Sequence, residues 1–288
     1  MNCLDAEIFR AHSACCEGYL SCAWITGVGI GHYHPHHTLR IYTAAENVEV
    51  PRSIAGFPTE PIVCGRVAVG VGFEPTRPVM GGFSVAPVKK RWAGTLGSTV
   101  YCRTNHAKLF LSNFHVLAGS NNAPLGLPIM SPAPADGGRY PRDLFGELNR
   151  YAQVFKPEEG TNLVDAAAGF PYDPSLLSDE IYRVGRVYYH DEPGVGMPVV
   201  MSGRDGYGEA TIFDVNASVK VYGYPWGYSI FDEQIVMAPA IVAAGDSGSV
   251  IVQKDTKTVV GLAFSGSDRF SLANKASNVA RILNVGWS

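Results

Sequence analysis

Charge is scarce in this sequence. Only 17% of its 288 residues are charged, and the formal net charge is −3. A chain so balanced has no general electrostatic pull on nucleic acid or on an anionic membrane, and neither is expected as a partner. Long apolar runs are missing too: no stretch approaches the roughly 18 uninterrupted apolar residues of a membrane-crossing helix. The opening MNCLDAEIFRAHSACCEGYL has neither a basic start nor an extended apolar run, so no signal or transit peptide is expected. Cysteine is absent after Cys102; the other five, Cys3, Cys15, Cys16, Cys22 and Cys64, crowd the start of the chain. A disulfide framework would be spread over the domain it staples, so reduced thiols and a cytoplasmic setting are expected. No CxxC pair and no zinc-type spacing occurs, so neither a metal nor another cofactor is expected.

What is present is a globular composition, with 46% hydrophobic residues, 32 glycines and 19 prolines. That many turn-formers fit a strand-rich chain rather than a helical bundle. Leu4, Ile8, Phe9 and Cys16 recur at helical spacing and predict a short helix over 3–16. Two strand-like runs follow, 23–31 and 38–44, joined by HYHPHH. Its histidines, His32, His34, His36 and His37, have the chemistry of metal ligands, but Pro35 makes a solvated hairpin tip the plainer reading. Residues 50–58 and 62–71 continue the strand pattern. Residues 1–80 thus form a small α+β unit that ends in the Pro/Gly-rich linker 74–82. From 81 to 288 many short apolar strands alternate with Gly, Pro and Asn, which predicts a sandwich or barrel of antiparallel strands. The run 274–283 reads as a closing helix.

Three pieces carry chemistry. In Gly245-Asp246-Ser247-Gly248, flanking glycines permit a tight turn that could aim the N–H groups of Gly245 and Ser247 at one point. A serine hydroxyl needs a base to become a nucleophile at neutral pH. LFLSNFHVLA (109–118) runs an apolar strand into His115, whose imidazole suits base work. TNLVDAAAG (161–169) sets Asp165 in an apolar run, where a carboxylate needs a hydrogen-bonding partner such as a histidine ring N–H. Asp136 and Asp143 compete for that role, but both stand in polar Gly/Pro-rich loops.

The order His115, Asp165, Ser247 resembles that of the trypsin/chymotrypsin serine peptidases. GTLGSTVY (94–101) before LFLSNFHVLA, and VVGLAFSG (259–266) after the serine, extend the likeness over about residues 83–285. SNFHVLA in place of the animal-type Ala-Ala-His-Cys signature, PAPADGG, MSGRDGYGEATI and the extra N-terminal unit look like an intracellular-type, mostly microbial branch. The resemblance implies a mainly β, chymotrypsin-like double antiparallel β-barrel with the triad in the cleft. It implies a serine endopeptidase acting on a protein or peptide substrate. Two rivals are a protease-like binding module and an esterase with the same triad.

The resemblance also implies a specificity pocket shaped by Ile241 and Val242 and by Phe264, Ser265 and Gly266. No acidic residue stands where it would bind Arg or Lys, so an apolar or small side chain is the expected preference, with Asp268, just after the cleft strand, as the alternative source of a charge. Cleavage after Arg77 is an unattractive activation step because Pro78 follows; 79–85 reads instead as the first barrel strand or its lead-in. Asp246 must then be satisfied by a backbone N–H or by a basic group such as Arg204. The N-terminal unit is free to act as a propeptide, a packing partner, or a module that recruits a partner or regulator.

Overall fold

The structure, a computed structural model, describes residues 3–33, 36–63 and 77–288. It divides into two compact units, Met1–Gly70 and Val71–Ser288, upstream of the boundary expected at 80. His34, Pro35, Cys64 and the start of the expected linker lie outside the described residues, as does the expected strand 62–71 beyond Val63.

In the first unit a helix, Cys3–Tyr19, precedes a hairpin of Ile25–Tyr33 with His36–Thr43. Phe57–Val63 then returns parallel to the second strand, with the short Ser53–Ile54 antiparallel on its far side. Ile8, Ala11 and Cys15 share one helix face because they are three and four residues apart, and they pack on Ile25, Leu39 and Ile41. Full burial of each large side chain there contributes about 1.5–3 kcal/mol. The helix runs one turn beyond its expected end.

The second unit is mainly β. Its first half is a curled eight-stranded sheet whose inner strands include Ser98–Cys102, Lys108–Ser112, Ala167–Pro171 and Leu144–Tyr151. Val79–Gly81 and Ser84–Pro87 are strands, as the reading of 79–85 expected. Its second half is a closed six-stranded antiparallel barrel. Two of the barrel strands are long, Tyr207–Tyr224 and Gly227–Ala238, and they form one hairpin. Neighbouring strands pair only with its base: Pro198–Ser202 covers Tyr207–Thr211, and Ser271–Ala273 covers Ile235–Met237. The rest of the hairpin extends over the first half, where Val221 and Phe231 join the core around Phe110, Phe114 and Phe145.

The helix expected over 274–283 begins only at Ala276. Asn274 and Lys275 instead end the strand Ser271–Lys275, where they pair with Val259–Gly266. After the helix Ala276–Leu283, the chain returns to the first half and Val285 pairs with Cys102. Cys15, Cys16, Cys22 and Cys102 are free thiols. No described helix is long and apolar enough to cross a membrane.

Candidate active site

The strand Lys108–Ser112 is anchored by Leu109, Phe110 and Leu111, all fully buried. It leads through Asn113 into a single helical turn, Phe114–Leu117. Phe114, Val116 and Leu117 are driven into the core, which leaves His115 as the side chain of that turn facing outward. Asp165 precedes the strand Ala167–Pro171 and is fully buried. That strand pairs with the histidine's strand, Ala167 opposite Ser112, so the two side chains meet across the sheet.

The Asp165 carboxylate is saturated with donors. Oδ1 accepts the backbone N–H of His115 at 3.1 Å, and Oδ2 lies 2.9 Å from His115 Nδ1. Oδ2 also accepts the Tyr224 hydroxyl at 2.5 Å. Asn113 Nδ2 donates to the Asp165 carbonyl at 2.7 Å, and the Asp165 N–H donates to Asn274 Oδ1 at 3.0 Å. Asn274 is itself held by Gln234 Oε1 at 2.7 Å. Burial opposes the charge on Asp165, but His115 and these hydrogen bonds outweigh it and hold its pKa below the usual carboxylate value. Burial likewise opposes the imidazolium, but the charge and hydrogen bond of Asp165 together raise the His115 pKa. With Nδ1–H donated to Asp165, Nε2 is the basic nitrogen of the neutral ring.

Ser247 lies on a turn before the strand Val250–Gln253. Gly245 and Gly248 both have positive φ, +109° and +102°, a region that favours glycine. Thr95 pins this turn from the other half. Its N–H donates to Ser247 O at 2.8 Å and its hydroxyl to Gly245 O at 2.8 Å, while that hydroxyl accepts Arg204 N–H at 2.9 Å. Ser112 Oγ donates to Thr95 O at 2.6 Å, tying the turn to the histidine's own strand. The N–H groups of Gly245 and Ser247 donate to no acceptor among the described residues. Ser247 Oγ makes one contact, 3.4 Å from Phe264 O, and no hydrogen bond to His115. His115 and Ser247 face each other across one cavity of about 490 Å³, walled by Trp92, Phe114, Tyr224, Pro225 and Gly245.

The competing carboxylates are engaged elsewhere. Asp136 takes a two-pronged bond from Arg204, at 2.8 and 2.6 Å, and Asp143 one from Arg142. Asp246 is buried and satisfied by backbone, accepting N–H from Asp205 at 2.9 Å and from Ala243 at 3.0 Å. Arg204 bonds Asp136 and Asp205 rather than Asp246.

The five expected pocket residues do not converge on the Ser247 cavity. Phe264 belongs to the core, its ring 4.9 Å from Phe231, and only its carbonyl faces the serine. Ile241 and Val242 are tied by their N–H groups to Ser271 Oγ, at 2.8 and 2.9 Å, and pack against the barrel core. Ser265 and Gly266 line a separate cavity of about 420 Å³ with Lys220, Tyr222 and Phe270. Strand alternation explains Phe264: on a strand between two packed layers its side chain points inward. Sequence reading missed Tyr224, Thr95, Trp92 and Asn274. The aromatic cluster Tyr222, Tyr224, Trp226, Tyr228 around Gly223 and Pro225 is a signal of the hairpin that the structure shows there, but nothing in it points to Asp165.

Many solved structures match the chain, among them three that do so over most of their own length. Thermobifida fusca protease A has a TM-score of 0.52 at 15% identity and covers 73% of this chain and 97% of its own. The Nocardiopsis protease has a TM-score of 0.52 at 17% identity, covering 73% and 98%. The unit has the chymotrypsin-like fold. A third match is Cellulomonas bogoriensis chymotrypsin, with a TM-score of 0.51 at 19% identity, covering 73% and 98%. No family model matches the sequence, and no curated protein matches it. The chymotrypsin-like double barrel that the resemblance implied is therefore present, with its first barrel as a curled sheet and its second closed.

Proposed function

We propose that this chain is a serine endopeptidase. The reading rests on one observation: His115, oriented by Asp165, shares a cavity with Ser247, and the serine turn keeps the N–H groups of Gly245 and Ser247 unpartnered. In the mechanism, Ser247 Oγ attacks a peptide carbonyl and His115 Nε2 takes its proton. The oxyanion that forms is held by the N–H groups of Gly245 and Ser247. His115 then gives the proton to the leaving amine, an acyl-enzyme remains, and water deprotonated by the same imidazole releases the acid. Asp165 stays ionised and fixes the ring tautomer. The chemistry needs no cofactor.

Catalytic competence without chain cleavage is part of the proposal. The backbone satisfaction of Asp246 supports it, because no new N-terminus is then required to hold the turn. A preference for apolar over basic side chains is supported by the cavity lining, in which no Asp or Glu occurs. The proposed cytoplasmic setting is consistent with four free thiols. A narrow role, with the N-terminal unit binding a partner or regulator, draws support from the exposed Phe9, Leu20 and Trp24 of that unit.

A fluorophosphonate probe tests the nucleophile. The wild-type protein should label and Ser247→Ala should not; equal labelling of both overturns the assignment. Turnover of denatured casein, compared with that of a small ester, separates an endopeptidase from an esterase and from a silent binding module.

A further inference from the structure

We propose that Tyr224, at the tip of the long barrel hairpin, is a positioning residue for the His115–Asp165 pair. This rests on the peptidase reading for its consequences in turnover, but not for its geometry. The Tyr224 hydroxyl donates to Asp165 Oδ2, the same oxygen that receives His115 Nδ1. Two donors converge on one carboxylate oxygen, so the phenol sets both where that oxygen sits and how strongly it holds the imidazole proton.

The tip is built to hold the phenol in place. Tyr224 stacks on Trp226 with ring centroids 5.5 Å apart and planes 12° apart, and lies 6.0 Å from Phe231. Trp226 Nε1 donates to Ser229 Oγ at 3.0 Å, and Ser229 Oγ donates to Phe155 O at 2.9 Å. Asn162 and Phe231 form a backbone bridge, and Gln234 Nε2 reaches Leu163 O at 3.0 Å. The hairpin is thereby docked along 155–163, the segment that leads directly into Asp165. Gly223, Tyr224 and Pro225 also wall the Ser247 cavity. One element therefore contacts both the carboxylate that orients the base and the space a substrate would occupy. Among the described residues, the titratable groups acting on this pair are His115, Asp165 and Tyr224 themselves. The flanking Asn113 and Asn274 are neutral.

The test is Tyr224→Phe, which keeps the ring stack and removes the hydroxyl. Loss of a hydrogen bond to a buried charge should lower kcat about 10-fold, with KM within about twofold. Without the phenol proton, Oδ2 binds the imidazolium more tightly, so the His115 pKa and the acid limb of kcat/KM should both move up. Titration of the His115 ring nitrogens by NMR reads that shift without any turnover. Fluorotyrosine at 224, a more acidic donor that cannot fail through a lost side chain, should move the limb down. Unchanged kcat and pH limb in Tyr224→Phe would overturn the proposal, as would a rise in KM alone, which would make Tyr224 only a wall. A shifted His115 titration in a protein whose Ser247 never labels would leave Tyr224 standing and remove the peptidase.

Discussion

The two ends of the site are prepared differently. At the His115–Asp165 end every polar group of the aspartate has a partner: three donors on its carboxylate, one on its carbonyl and one acceptor for its N–H. At the Ser247 end the backbone is pinned by Thr95, yet among the described residues the hydroxyl has only a 3.4 Å contact and the N–H groups of Gly245 and Ser247 have no acceptor. A buried carboxylate without donors would cost several kcal/mol, so its shell must be complete before substrate arrives. Ser247 Oγ and those N–H groups face a cavity, where water or, in the proposed mechanism, a substrate can supply what is missing. In terms of the proposed mechanism, the difference teaches that the base is set by folding and the attacking geometry is left for the substrate to complete.

The sharpest way to break this comparison is Asp165→Asn. The amide cannot hold the same ring tautomer, and kcat should fall on the order of 10⁴-fold with little change in KM. A loss under tenfold would mean the histidine end is not preset by this carboxylate. Next comes Thr95→Val, which keeps the shape and strips the hydroxyl from the fully buried pin. The Gly245 carbonyl and the Arg204 N–H lose their partner, at a cost of about 1–3 kcal/mol each. Thermal melts should fall by several degrees, and kcat/KM should fall about tenfold because the oxyanion turn loosens. Retained kcat with a lowered melting point would make Thr95 a structural tie alone.

The third prediction concerns pH. The proposed mechanism needs neutral His115, whose pKa is raised by Asp165. The acid limb of kcat/KM should therefore lie above the ordinary imidazole value of about 6.5. A raised folded pKa also means that the pair's contribution to stability is fully present below the unfolded value. It is lost as pH rises through the folded one. Melting temperature measured against pH should show that loss in the wild type and not in His115→Gln. An acid limb at or below the ordinary value would contradict the orientation of the pair. The smallest effect is expected for Lys254→Gln. It removes an exposed ion pair with Glu209 on the barrel surface, 2.6 Å long, and should leave kcat/KM and melting unchanged.

Much of this was legible along the chain. The alternation of short apolar runs with Gly and Pro announced the β unit. The helical spacing of Ile8 and its neighbours announced the first helix. His115, Asp165 and Ser247 could each be picked out because their surroundings are locally odd: a histidine and an aspartate in apolar runs, and a serine between glycines. The helix boundary at Asn274 was not legible, because a strand partner, Leu262 opposite Asn274, overrides local propensity there. Nor was the pocket, since which side of a strand Phe264 faces depends on register with distant strands.

The sequence by itself determined the residue types and their order, because catalytic chemistry and local conformational preference are properties of side chains and short segments. Tertiary structure decided which of the partnerships left open by the sequence form. It sent Asp136 to Arg204 and Asp165 to His115. It satisfied Asp246 with backbone N–H groups, and it carried Tyr224 from a hairpin tip to the aspartate. All of those pairings but the Ala243–Asp246 bond join residues tens of positions apart, and their energy exists only once packing has excluded water from around them.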